Sequence, residues 1–267
     1  MNPAQKIGVF DSGVGGLTVV KALQARLPAE ALVYLGDTAR VPYGTRSAEV
    51  VTRYSLLNAR FLLQHDIKVL VVACNTVSAA SLPVLQAELP IPVVGVIGPG
   101  ALAAARATQS GRVGVIGTPG TIRSGAYQRA LELARPGVQV LSRACPLFVP
   151  LAEEGWTRGD DEIVLATARR YLGELSQGEI DTLVLGCTHY PLLREAIGAV
   201  MGKGVRLIDS AEATAEAVAT LLTERELRAP HGAGSARYFV TDLPERFGEV
   251  GARFLGRPIG AVEQVDL

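Results

Sequence analysis

No run of 18 apolar residues occurs anywhere in these 267 residues, so nothing in the sequence reads as a membrane span. Charge of one sign is missing too. Lysine and arginine number 26 and aspartate and glutamate 26, so no net field draws the chain to nucleic acid or to an anionic membrane surface. Met1 to Gln5 lead straight into an apolar strand, without the charged region and cleavage site of a signal peptide, and export by that route is not expected. Cysteine is scarce: Cys74, Cys145 and Cys187 form an odd, widely spaced set that fits a reducing cytoplasm better than a disulfide framework. Without Cys-x-x-Cys spacing, the thiols and His189 do not form a zinc pattern, and no metal is expected. Lysine is limited to Lys6, Lys21, Lys68 and Lys203. A pyridoxal enzyme needs a Schiff-base lysine. Here Lys6 and Lys68 begin strands, Lys21 lies inside a helical stretch and Lys203 in a Gly-flanked turn, so no such cofactor is expected.

What is abundant is apolar: 48 % of the chain, enough to bury a full core. Short buried strands alternate with longer amphipathic stretches. Lys6–Phe10, Ala31–Leu35, Val69–Ala73 and Val93–Ile97 read as strands, and Leu17–Leu27 and Glu49–Gln64 as helices. That order predicts an α/β fold of parallel sheets with helices on both faces.

The second half repeats the first. Lys6–Ser12 is similar to Arg112–Thr118, Val69–Thr76 to Thr182–His189, and Val93–Ile97 to Arg206–Ser210. The offsets of 106 and 113 residues differ by no more than a loop. The expectation is two pseudo-symmetric lobes, residues 1–97 and 98–209, with a ligand cleft between them. After Ser210 come a helical stretch at Ala213–Glu226, a break at Ala229–Gly234, a strand at Arg237–Thr241 and a helix near Pro244–Leu255. These are expected to rejoin the first lobe as residues 210–267.

Parallel sheets bind ligands beyond the carboxyl ends of their strands. Those places hold Asp11-Ser12-Gly13, Pro42-Tyr43-Gly44, Cys74-Asn75-Thr76, Thr118 to Thr121, and Cys187-Thr188-His189. Hydroxyls, amides and helix N-termini suit a small carboxylate-bearing ligand. Cys74 and Cys187 each end a strand and precede a helix, a setting that lowers a thiol pKa toward neutrality. Two such thiols in repeat-equivalent positions would flank one carbon from opposite sides, one removing a proton and the other returning one. Asp11 and His189 are placed to set their protonation. Glu153 follows an apolar stretch, which is a weak signal on its own. His65 and His231 read as surface residues. Gly13-Val-Gly15 with Asp37 imitates a dinucleotide fingerprint, but Thr18 stands where the third glycine belongs. A non-enzymatic two-lobed binder is the other reading, though mere binding has no use for two facing thiols.

In order along the chain, Asp11–Thr18, Tyr34–Thr38, Val41–Gly44, Ala73–Ser78, Val184–Pro191 and Leu207–Ser210 resemble the glutamate racemase family. The resemblance covers nearly the whole chain. It implies interconversion of L- and D-glutamate with no cofactor, Cys74 and Cys187 as acid and base, and Asp11, Glu153 and His189 assisting. It implies substrate contacts from Asp11, Ser12, Pro42, Tyr43, Gly44, Asn75, Thr76, Thr118, Thr121, Thr188 and His189. It also implies a homodimer in the cytoplasm, supplying D-glutamate for peptidoglycan and so for cell shape. In that family the first-lobe cysteine usually acts on the D enantiomer and the second-lobe cysteine on the L. An aspartate racemase would use the same two thiols and remains the alternative.

Overall fold

A computed structural model describes residues 1–230 and 234–267; His231 lies outside the described residues. The chain begins with β1 (Lys6–Asp11), α1 (Leu17–Arg26), β2 (Leu32–Gly36), α2 (Ala48–Leu63), β3 (Ile67–Val72), α3 (Asn75–Glu88), β4 (Val93–Gly95) and α4 (Ile97–Ala107). It continues through β5 (Arg112–Gly117), α5 (Pro119–Arg123), α6 (Ala126–Ala134), β6 (Gln139–Ala144), α7 (Phe148–Glu153), α8 (Glu162–Gln177), β7 (Thr182–Gly186), α9 (Arg194–Met201) and β8 (Arg206–Asp209). Then come α10 (Ser210–Glu224), β9 (Ala236–Val240), α11 (Pro244–Leu255) and β10 (Val262–Gln264).

The strands form two parallel sheets, ordered β10-β9-β2-β1-β3-β4 and β6-β5-β7-β8. The order β2-β1-β3-β4 in one matches β6-β5-β7-β8 in the other, strand for strand, as the internal repeat predicts. The α/β architecture with helices on both faces is as expected. Parallel strands covered on both faces must be apolar throughout, and β3 is buried at all six positions.

Each sheet has a core on either side. The first packs Ile7, Val9 and Val71 against Val20 and Leu23 of α1 and Val218 and Leu222 of α10. Its other face packs Phe10, Leu70 and Val72 against Val51, Ala59 and Leu62 of α2 and Val77 and Leu85 of α3. The second sheet buries Leu183 and Leu185 against α7, α8 and α9, and Val113, Val115 and Val184 against α4 and α6. The late strand β9 pairs with β2, so the chain's end does return to the first sheet.

Three boundaries differ from expectation. The strand predicted over Val93–Ile97 stops at Gly95, and Ile97 already opens α4. Pro99 falls in the first turn of that helix, where a missing N–H costs nothing. Its repeat partner behaves alike: Ser210 leaves the strand and opens α10, three residues before the predicted start. There the Asp209 carboxylate caps the helix by accepting from the Ala211 N–H at 2.8 Å. Finally, Cys187 does not adjoin an α-helix; a 3₁₀ turn at Tyr190–Leu193 comes between it and α9.

Candidate active site

In both sheets the strand order reverses between the first and third strands, β1 and β3 in one, β5 and β7 in the other. A crevice forms at such a point because the chain leaves adjacent strands in opposite directions. Asp11 is the last residue of β1, and Cys74 is the N-cap of α3 just beyond β3. Thr118 caps α5 beyond β5, and Cys187 follows β7. All three cysteines are buried and free, with Cys74 6 % and Cys187 5 % exposed.

A chain of polar contacts joins the two sulfurs. The Cys74 thiol donates to Ser12 Oγ at 3.7 Å, and the Ser12 hydroxyl donates to Asp11 Oδ1 at 3.1 Å. The other Asp11 oxygen accepts from the Thr188 hydroxyl at 3.2 Å. Thr188 lies 3.5 Å from His189 Nδ1, which sits 3.8 Å from Cys187 Sγ. On its far side, His189 Nε2 meets Glu153 Oε1 at 2.9 Å. Glu153, expected only weakly from sequence position, ends α7 and is brought to this dyad. The Thr188 turn is further held from the first sheet's side, where the Thr18 hydroxyl donates to the Thr188 carbonyl at 3.1 Å. Gly15 packs so closely on Thr188 and His189 that a side chain there would overlap both.

A second set of contacts spans the cleft through hydroxyls. Thr76 Oγ1 lies 2.9 Å from Thr118 Oγ1, which lies 3.0 Å from Thr121 Oγ1. The Thr118 hydroxyl also accepts from the Thr121 N–H at 3.2 Å, capping α5. Gly44 presses on the same place: a Cβ there would come within 2.9 Å of Thr118 Cβ. Asn75 is buried, and its Oδ1 accepts from the Tyr127 hydroxyl at 2.8 Å.

Two expected contacts are placed differently. The Tyr43 side chain turns into the first lobe, where its hydroxyl donates to Asp37 and accepts from Asn58 Nδ2. Only the main chain of Tyr43 and Gly44 remains at the cleft. Pro42 is exposed, following a cis bond from Val41. His65 is half-buried rather than a free surface residue, stacked between Phe61 and Phe239.

The electrostatics separate the two halves of the site. Burial pushes the Cys74 thiol up to about 12, and the nearby Asp11 carboxylate adds to that. The N-terminus of α3, expected to lower this pKa, is outweighed by desolvation. Burial raises the Asp11 carboxyl as well, against the pull of His189 and of its three hydrogen-bond donors. His189 is the opposite case. Burial disfavours its charge, yet its contacts with Cys187 and Glu153 raise it to about 10. Glu153 is correspondingly held below its ordinary value, since the His189 bond outweighs its burial. One half thus holds a protonated thiol, the other an imidazolium beside a sulfur.

Sequence reasoning missed Tyr127, Thr18 and Phe254, whose ring meets that of His189 edge-on with centroids 5.1 Å apart. None follows a strand, so the rule that singled out the other residues had no purchase on them. Among the described residues, no group of three His, Cys, Asp or Glu side chains is arranged to hold a metal ion, and no helix is long and apolar enough to cross a membrane. Lys68 is buried against Glu30 at 2.6 Å, away from the cysteines.

Residues 8–218 match the family described as Asp/Glu/Hydantoin racemase. A glutamate racemase of Geobacter metallireducens is 60 % identical over 266 residues, covering 99 % of this chain and 98 % of that one. The crystal structure of a glutamate racemase isoform from Bacillus anthracis superposes with a TM-score of 0.95 at 44 % identity, over 98 % of each chain. That of Francisella tularensis, in complex with D-glutamate, superposes with a TM-score of 0.92 at 38 % identity, over 99 % of this chain and 98 % of that one.

Proposed function

This chain belongs to the Asp/Glu/Hydantoin racemase family, and from that premise we infer that it is an isomerase interconverting L- and D-glutamate, with Cys74 and Cys187 as acid and base. The relatives it matches over nearly its full length are glutamate racemases, which favours glutamate over aspartate as substrate. The observation that carries the mechanism is the continuous run of contacts from one buried sulfur to the other across the boundary between the two sheets.

In the L-to-D direction, Cys187 takes the α-proton. Its S–H bond forms as the Cα–H bond breaks, and the electron pair is left on the carbon. Cys74 then gives its own thiol proton to the opposite face. The high pKa of Cys74 suits the donor role, and the His189 imidazolium suits a partner for a thiolate at Cys187. The reverse direction exchanges the roles, with Asp11 assisting Cys74. Charge developing on the substrate carboxylate is met by main-chain N–H groups at the start of α3 and α5, and by the donors of Asn75, Thr76, Thr118, Thr121 and Thr188. Burial of both cysteines keeps these donors in a low dielectric, where they are worth more than in water.

The lobes that close on the substrate are residues 1–97 with 210–267, and 98–209. The working unit is a homodimer, which sedimentation would report. The product supplies peptidoglycan synthesis in the cytoplasm, and rescue of a D-glutamate-requiring bacterial strain would test that role. The defining experiment incubates the protein separately with L-glutamate and L-aspartate in deuterated water. Loss of optical activity with glutamate, accompanied by deuterium at the α-carbon, is the expected result. Activity on aspartate alone would select the alternative substrate, and binding without deuterium uptake would select a non-enzymatic binder.

A further inference from the structure

We infer that Tyr127 is a positioning residue of this site, fixing the Asn75 amide so that its NH2 group is the end offered to the substrate. The inference rests on the racemase reading above and deepens it.

The observations concern both cysteines. Tyr127 lies on α6, on the Cys187 side of the molecule, and is 1 % exposed. Its hydroxyl reaches Asn75, the residue immediately after Cys74, and donates to Oδ1 at 2.8 Å. Its ring lies against Gly186, the residue immediately before Cys187, so closely that a Cβ there would come within 3.0 Å of Tyr127 Cε2. One side chain therefore touches the chain neighbours of both proposed acid/base groups.

The consequence for Asn75 is specific. A side-chain amide carries an acceptor at one end and donors at the other, and its local partners decide which way it faces. Here Oδ1 is engaged by Tyr127, while Nδ2 is buried with no partner. A buried donor left unpaired costs about 1–3 kcal/mol, so such a group calls for an acceptor. A substrate carboxylate is an acceptor of that kind. Burial, with smaller contributions from Asp209 and Cys187, raises the phenol of Tyr127 above its ordinary value, so it stays neutral and remains a donor at working pH. Were the amide reversed, its oxygen would face the substrate's negative charge instead.

Tyr127→Phe keeps the ring on Gly186 and removes only the hydroxyl. The expected result is a KM for both glutamate enantiomers raised about tenfold, with kcat within about twofold and the melting temperature little changed. In an Asn75→Ala background the same substitution should do nothing further to KM, because the hydroxyl acts through that amide. Fluorotyrosine at position 127 retains ring and hydroxyl and so preserves the fold. By strengthening the donated bond it should polarise the amide and lower KM. An unchanged KM in Tyr127→Phe and in the fluorotyrosine protein, or an equal effect with and without Asn75, would overturn the inference. Wild-type protein assayed alongside keeps the two readings apart: if it fails to racemise glutamate, the function falls; if it succeeds and the KM pattern is absent, only the role of Tyr127 does.

Discussion

At the scale of single residues, the site assigns opposite duties to two chemically identical groups. Cys74 is held as a thiol by burial, whereas Cys187 adjoins a protonated imidazole. Replacing either by alanine should lower racemisation by roughly 10²–10⁴, the range expected for one acid/base group. Cys145→Ala should leave turnover near normal, since Cys145 is packed in the core with Phe148 and Leu185. Optical rotation of each variant with L-glutamate is the check, and near-normal rotation by Cys74→Ala or Cys187→Ala would exclude the two-thiol mechanism.

His189 also gives stability a dependence on pH. Its pKa in the folded protein, about 10, exceeds the model value of 6.5. The stabilisation from its contacts with Glu153 and Cys187 is therefore fully present below about 6.5 and fades as pH rises through about 10. Glu153→Gln weakens that pairing. The difference in melting temperature between wild type and this variant should thus be largest near pH 6 and shrink toward pH 10. A gap that widens with pH would contradict the assignment.

At the scale of elements, one carboxylate organises a whole connection. Asp181, just before β7, accepts from the Thr108 hydroxyl at 2.6 Å and from the Gln109 and Ser110 N–H groups at 2.7 Å each. These contacts hold the turn between α4 and β5. They keep the Asp181 carboxyl well below the usual carboxylate range despite the opposing effect of its partial burial. Asp181→Ala should cost about 1–2 kcal/mol, toward the low end for such bonds because the group is partly solvated. Urea denaturation should show the loss above pH 5. It should diminish as pH falls below the ordinary carboxylate value, where the wild-type group begins to take up its proton.

Much of this level is legible in the sequence. The buried strands β1, β2, β3 and β7 stand out as apolar runs, and α11 falls on its predicted residues because Pro244 and Gly256 mark its ends. The misplacements at Ile97 and Ser210 share a physical origin: each residue is as acceptable at a helix start as at a strand end, and the deciding signal lies in Pro99 or in the Asp209 cap. The candidate site is readable where a residue follows a strand. Its depth is not. Neither the turning of Tyr43 into the core nor the high pKa of Cys74 follows from order along the chain, because both depend on what packs around them. Tyr127 and Phe254 arrive from helices whose sequence looks like ordinary core.

At the scale of the whole molecule, the largest electrostatic commitment lies far from the cysteines. Lys68 is fully buried, paired with Glu30, and donates to the Pro3 and Leu227 carbonyls at 2.7 Å each. Glu30 in turn accepts from the Ala229 N–H at 2.8 Å. This cluster ties the first residues, β3 and the segment after α10 at the amino-terminal edge of the first sheet. Lys68→Met should cost about 3–5 kcal/mol, because it strands the Glu30 charge. Adding Glu30→Gln should recover part of that loss, measured as the urea midpoint. A single variant as stable as wild type would show that the pair holds nothing.

The matching strand order of the two sheets has a consequence for ancestry. A half-length polypeptide with the order β2-β1-β3-β4, paired with a copy of itself about a twofold axis, would already present one thiol to each side of a trapped molecule. Fusion of two such halves released them from identity, so Ser12 could come to face Thr118, and Asn75 to face Thr188. Mirror-image ligands call for an environment that is nearly but not wholly palindromic, and a duplicated chain arrives at that compromise by drift from perfect symmetry.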